Sequence, residues 1–106
     1  MNLEIKLTEL TRLIRRFFDG SESMDRLNDF AWNVIDYFSD SRGEDLPPPS
    51  TCEREFWYAI WRIQHLAGES SDLIKEELPT ILSYLTKESQ LPRECEGRRP
   101  VPSAKP

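Results

Sequence analysis

The sequence predicts an all-α fold: a single small four-helix bundle with a proline-rich loop and an irregular C-terminal tail. Three observations predict it. Four stretches repeat apolar residues at alternating three- and four-residue spacing, the period of one helix face. Short polar or glycine-bearing segments separate them, and nowhere do apolar and polar residues alternate as in a half-buried strand. With 106 residues the chain is one domain, read as a bundle over residues 1–89 and a proline-rich basic tail over 90–106 without structure of its own.

The first helix is expected over residues 3–18. Leu3, Leu7, Leu10, Ile14 and Phe17 form its apolar stripe, with Lys6, Glu9, Arg12 and Arg16 outside it. Arg15 and Arg16 suit the negative end of the helix dipole, and Asp19-Gly20 ends the helix. The link to the second helix is short, so the two should be antiparallel neighbours.

The second helix is expected over residues 22–40, with Ser21 or Ser23 accepting an orphan N–H at its start. Met24, Leu27, Ala31, Val34, Ile35 and Phe38 gather in one sector, flanked by Phe30 and Tyr37. The loop Ser41–Pro49 follows, with Gly43 and three consecutive prolines. Ser50 and Glu53 match a capping box opening a third helix at about residues 51–67. Its apolar arc is broad, running from Leu66 and Ala59 through Phe56, Ile60 and Ile63 to a rim at Trp57 and Trp61, so it is the most buried of the four. The fourth helix, about residues 72–88, buries Ile74, Leu78, Ile81, Leu82 and Leu85. Pro79 on its solvent side predicts a kink, or a break into 72–77 and 79–88.

Charge is unevenly distributed. The net charge is −5, yet residues 19–45 carry eight acidic and two basic side chains, while residues 1–18 and the tail each carry four basic and two acidic. Such a field steers toward cationic partners and away from nucleic acid. No run of 18 apolar residues suggests a membrane span. The start MNLEIKLTEL lacks a basic, then apolar, leader, and two cysteines are too few for a disulfide framework, so a cytoplasmic location is expected.

Signals for catalysis are thin. His65 is the only histidine, which excludes a paired-histidine metal site, and it reads as a boundary or surface residue. Cys52 and His65 lie about 20 Å apart along one helix, too far for a nucleophile and its base. Cys95 belongs to the tail, and the four glycines are isolated rather than gathered in a phosphate-cradling loop. No catalysis, cofactor or metal is therefore expected.

The feature calling for an explanation lies on the second helix. Glu22, Asp25, Asp29, Asp36 and Asp40 form a file opposite the apolar sector, with no Lys or Arg inside it and Trp32 among them. Like charges one turn apart cost a helix roughly 0.2–0.5 kcal/mol per pair. The plain account is a solvated, solubilising face. The sharper one is a partner-binding face, because an indole among the acids suits an interface anchor and carboxylates about 6 Å apart resemble a row of phosphates. Glu44 and Asp45 in the following loop would extend it. Trp57, Tyr58 and Trp61 leave a second possibility open. They either pack in the core against the proline loop, or make the chain a helical adaptor or regulatory subunit whose aromatic face docks an apolar groove or a second copy.

The stretch LIRRFFDGSESMDRLNDFAWNVIDYF (13–38), followed by a loop and FWYAIWRIQHLA, resembles the small acidic helical immunity proteins that bacteria pair with nuclease toxins. The nearest are the colicin D-type group and the immunity partners of contact-dependent growth inhibition toxins. The resemblance covers about the first 88 residues and is one of pattern; the basic tail and the triple proline have no counterpart in it. It implies a protein that is monomeric when free and binds a cognate toxin as protein partner. Acids at Asp25, Asp29, Asp36 and Asp40 would lie against the toxin's basic cleft.

Overall fold

Asn2 opens α1 (Leu3–Phe18): its side-chain oxygen accepts the amides of Glu4 at 2.9 Å and Ile5 at 3.1 Å, two of the donors a helix start leaves unpaired. The computed structural model describes residues 2–40, 53–95 and 97–98, with the side chain of Asp40 excepted. The stretch expected as a loop, Ser41–Pro49, the expected capping residue Ser50, and Cys52 lie outside the described residues.

Gly20, at φ 85°, closes α1. The Gly20 amide donates to the Phe17 carbonyl and the Ser21 amide to that of Arg16, a Schellman arrangement that needs a left-handed residue at this step. Asp19 then accepts from both the amide and the hydroxyl of Ser21, which holds its carboxyl below the usual carboxylate range. After this turn α2 (Met24–Asp40) begins on Ser23, whose hydroxyl accepts the Arg26 amide at 3.3 Å. Helix α3 (Glu53–Leu66) and helix α4 (Ser71–Leu85) are joined by residues 67–70, where the Ser70 hydroxyl accepts the Leu73 amide.

These are the four helices of the bundle, and no strand occurs among the described residues. The principal contacts close a ring: α1 on α2, α2 on α3, α3 on α4 and α4 on α1. No helix among the described residues is long and apolar enough to cross a membrane. Helix α4 is continuous through Pro79, so of the kink or break expected there the break does not occur. The proline is exposed, while Ile74, Leu78, Ile81 and Leu85 seat both halves of the helix in one core. That burial outweighs the one lost hydrogen bond.

At the centre is Trp57, fully buried, with Phe38 of α2 edge-on at 4.7 Å between ring centroids and Phe56 at 5.2 Å. Its indole N–H donates to the Glu53 carboxylate at 3.2 Å, so the one polar atom of the side chain has a partner. The sequence puts Trp57 at the rim of α3. The structure makes it core, because α3 sits between α2 and α4 and a neighbour covers each flank.

The stretch expected to be a tail apart from the bundle rests on it. Residues 90–95 and 97–98 form neither helix nor strand, but Leu91 is 3% exposed. At the end of α4, Lys87 takes a left-handed backbone (φ 66°) and its ammonium reaches Glu55 of α3 at 2.7 Å. Burial pushes the Glu55 carboxyl up. The hydrogen bond from Lys87 and the charges of Lys87 and Arg54 more than reverse this, so it titrates below its ordinary 4.5.

Two outcomes follow. Replacing Trp57 with alanine should lower the unfolding free energy in urea by about 3–5 kcal/mol, a large part of the total, and Trp57→Phe by less. The Glu55 contribution is present above pH 4.5 and lost as pH falls through the lower folded value. Glu55→Gln should therefore cost on the order of 1 kcal/mol at pH 7, and the gap between the two urea midpoints should close toward pH 3.

Candidate interface on the outer face of the second helix

The inner side of α2 is spent on the core. Leu27, Phe30, Ala31, Val34, Ile35 and Phe38 are all buried, and together they set the rotation of the helix about its axis. The 3.6-residue period then leaves Asp25, Asp29, Asn33 and Asp36 in solvent. Trp32 stands with them at 42% exposure, one of three large hydrophobic side chains so exposed among the described residues. From Asp25 to Asp36 the file runs about 16 Å along the axis.

The carboxylates elsewhere make an instructive contrast. Glu9 pairs with Lys6 at 3.3 Å, Glu55 with Lys87 at 2.7 Å, and Glu77 takes the Arg62 guanidinium at 2.5 Å, which raises the Arg62 pKa further. Among the described residues, no basic group comes within ion-pair distance of Asp25, Asp29 or Asp36. Arg26, exposed on the same helix, makes no such pair either. The last turn of α2 carries no basic residue to offset the dipole there. One turn before Trp32, the Asn28 side-chain oxygen is out of water without a protein donor.

Not every residue expected on this face is there. Glu22 precedes α2, in the link rather than the helix; its side chain is 23% exposed and faces Arg16 at 4.0 Å. Asp40 is the last residue of α2, and Glu44 and Asp45 lie outside the described residues. The structure therefore brings together Asp25, Asp29, Trp32 and Asp36.

Two further surfaces frame this one. On α1, Arg12, Arg15 and Arg16 edge a shallow groove against α4, floored by Leu7 and Leu85, so the molecule carries opposite charge on adjoining sides. On α3, the aromatic residues are not the open face that the sequence allowed. Trp57 is buried, Tyr58 packs edge-on against Tyr84 at 5.7 Å, and Trp61 is half-buried, its indole N–H donating to the Arg98 carbonyl at 2.8 Å. Burial, with the Cys95 thiol beside it, raises the Tyr58 hydroxyl above its ordinary pKa. Sequence reasoning missed this docking; Leu91 in an otherwise polar tail was its one signal. His65 is exposed on α3, and no three His, Cys, Asp or Glu side chains among the described residues gather into a group able to hold a metal ion.

Set against known protein families, characterised proteins and solved structures, the chain finds no match.

Proposed function

We propose that this chain is an immunity or antitoxin protein that binds a cognate bacterial toxin, of nuclease type, and neutralises it by laying α2 across the toxin's basic cleft. The observation that carries the reading is the row of Asp25, Asp29 and Asp36, without ion-pair partners among the described residues, beside an exposed Trp32, whereas Glu9, Glu55 and Glu77 are each tied to a cation.

Physical chemistry supports the match. A nuclease cleft is built to hold phosphates with Lys and Arg, and a rigid rod of carboxylates meets the same groups without being a substrate. A rigid helix presents its charges already in place, so little ordering entropy is lost on binding. Charge attraction speeds the encounter, and pairs that become desolvated at such an interface are worth about 1.5–7 kcal/mol each. The indole of Trp32 supplies apolar burial amid the charge, where interface anchors concentrate. The resemblance to acidic helical immunity proteins points the same way. An adaptor docking through the α3 aromatics gains no support, since Trp57 is buried and Trp61 is engaged by the chain itself.

The test is co-expression with the toxin encoded beside this chain. The native protein should restore growth. The double reversal Asp29→Lys, Asp36→Lys should not, with helicity by circular dichroism unchanged. With purified components, the reversal should weaken affinity by about a thousandfold, as expected when two charge pairs become repulsive. Native affinity should fall steeply between about 0.1 and 0.5 M salt. Protection that survives the double reversal overturns the assignment of this face.

A further inference from the structure

Arg54 and Trp61 stand two turns apart on α3, about 10.5 Å, and each points a side-chain N–H away from the core. Both donors end on carbonyls of the same C-terminal segment. The Arg54 guanidinium donates to Pro92 at 3.1 Å and the Trp61 indole to Arg98 at 2.8 Å. Between these two points Gly97 lies directly on α3. A Cβ at Gly97 would overlap the backbone of Arg54, Trp57 and Tyr58, so no residue with a side chain fits there without moving the segment. At the near end Leu91 is buried, and the Cys95 amide turns back to the Pro92 carbonyl at 3.1 Å.

Each of these contacts reads main chain. Two side-chain donors take two carbonyls, a glycine is required where the backbones meet, and a single leucine sets the register. We infer that the outer face of α3 is a clamp for a peptide backbone that turns after a proline, and that the segment carrying Leu91, Pro92, Gly97 and Arg98 is its resident occupant. The ligand class is a peptide bearing Leu-Pro at the start of a turn and, five residues after the proline, Gly-Arg. The tether keeps the clamp filled, since a short covalent link presents the segment at an effective concentration on the order of millimolar. With about tenfold protection by a millimolar tether, a free copy of the segment should bind the opened clamp with a Kd of about 0.1 mM, so at up to about 0.5 mM it largely loses the competition in the native chain and fills the clamp once the resident is expelled. This surface is distinct from the acidic face of α2, and the inference does not depend on the function proposed above.

The experiment uses the full chain with Cys52→Ser, so that Cys95 is the only thiol, and two readouts. The first is the rate at which Cys95 reacts with an aromatic disulfide. The second is binding of a fluorescent nonapeptide copying residues 90–98 with serine at the cysteine position. In the native background, Cys95 should react about tenfold slower than the same thiol in a free peptide, and the nonapeptide, titrated to about 0.5 mM, should bind about tenfold more weakly than to the opened chain. Gly97→Val should bring Cys95 close to the free-peptide rate, leave helicity unchanged and allow the nonapeptide to bind. Adding Trp61→Phe, which keeps a ring but removes the N–H, should then weaken nonapeptide binding several-fold to tenfold. Should Gly97→Val disturb the helices, Trp61→Phe alone decides the matter by its acceleration of Cys95. Free-peptide reactivity of Cys95 in the native background overturns the inference, and so does failure of the nonapeptide to bind the opened chain.

Discussion

Phe38 and Trp57 meet edge to face at the middle of the bundle, and this contact determines how far α2 is turned about its own axis. A helix has one free rotation once its ends are placed. Here an aromatic ring locked against a fully buried indole removes it, since even a small turn would open space that nothing nearby can fill. Everything α2 shows to solvent follows. With Phe38 inward, Asp25, Asp29, Trp32 and Asp36 must point out. The outer face is thus held by the core rather than by contacts of its own, which is why its carboxylates stand without partners and yet in a defined row.

The charge pattern has the same logic. Burial provides the stability of α2, and the dipole-opposed acids near its C-terminal end subtract only a little. A marginal helix would not tolerate such a surface. Helix α3, wedged between two neighbours, supplies the surplus and keeps its own outer strip covered with the C-terminal segment. Carboxylates in different places are therefore handled differently. Glu55 and Glu77 tie elements together through Lys87 and Arg62, while the aspartates of α2 tie nothing.

Much of this was legible in the sequence, for identifiable reasons. Apolar spacing placed α1 at Leu3–Phe18 and the inner and outer faces of α2, because periodicity is a local property that burial preserves. Three things were not legible. Trp57 at the rim of an arc could be read as core or as a docking face, since a helical wheel gives angles and not the distance to the next helix. Pro79 looks like a break, since the cost of a missing N–H is visible in the sequence and the packing of Ile74 and Ile81 that outweighs it is not. The docked C-terminal segment hides behind its polarity: its anchor is one leucine, and Gly97 has meaning only beside the α3 backbone. At the candidate site, the angles of Asp25, Asp29 and Asp36 could be read, but whether an arginine from another helix would meet them could not. Glu22 was misjudged because Ser23, not Ser21, begins the helix.

The two-sidedness of α2 has a consequence for how such a surface changes over time. Substitutions at positions 25, 29, 33 and 36, all exposed, change the outer surface of α2 while leaving the buried side chains of its inner face in place. Gaining or losing a residue inside the helix is another matter. Each such event swings all that follows by 100° and carries Phe38 out of its socket. Diversity at this face is thus free in spelling and closed in length.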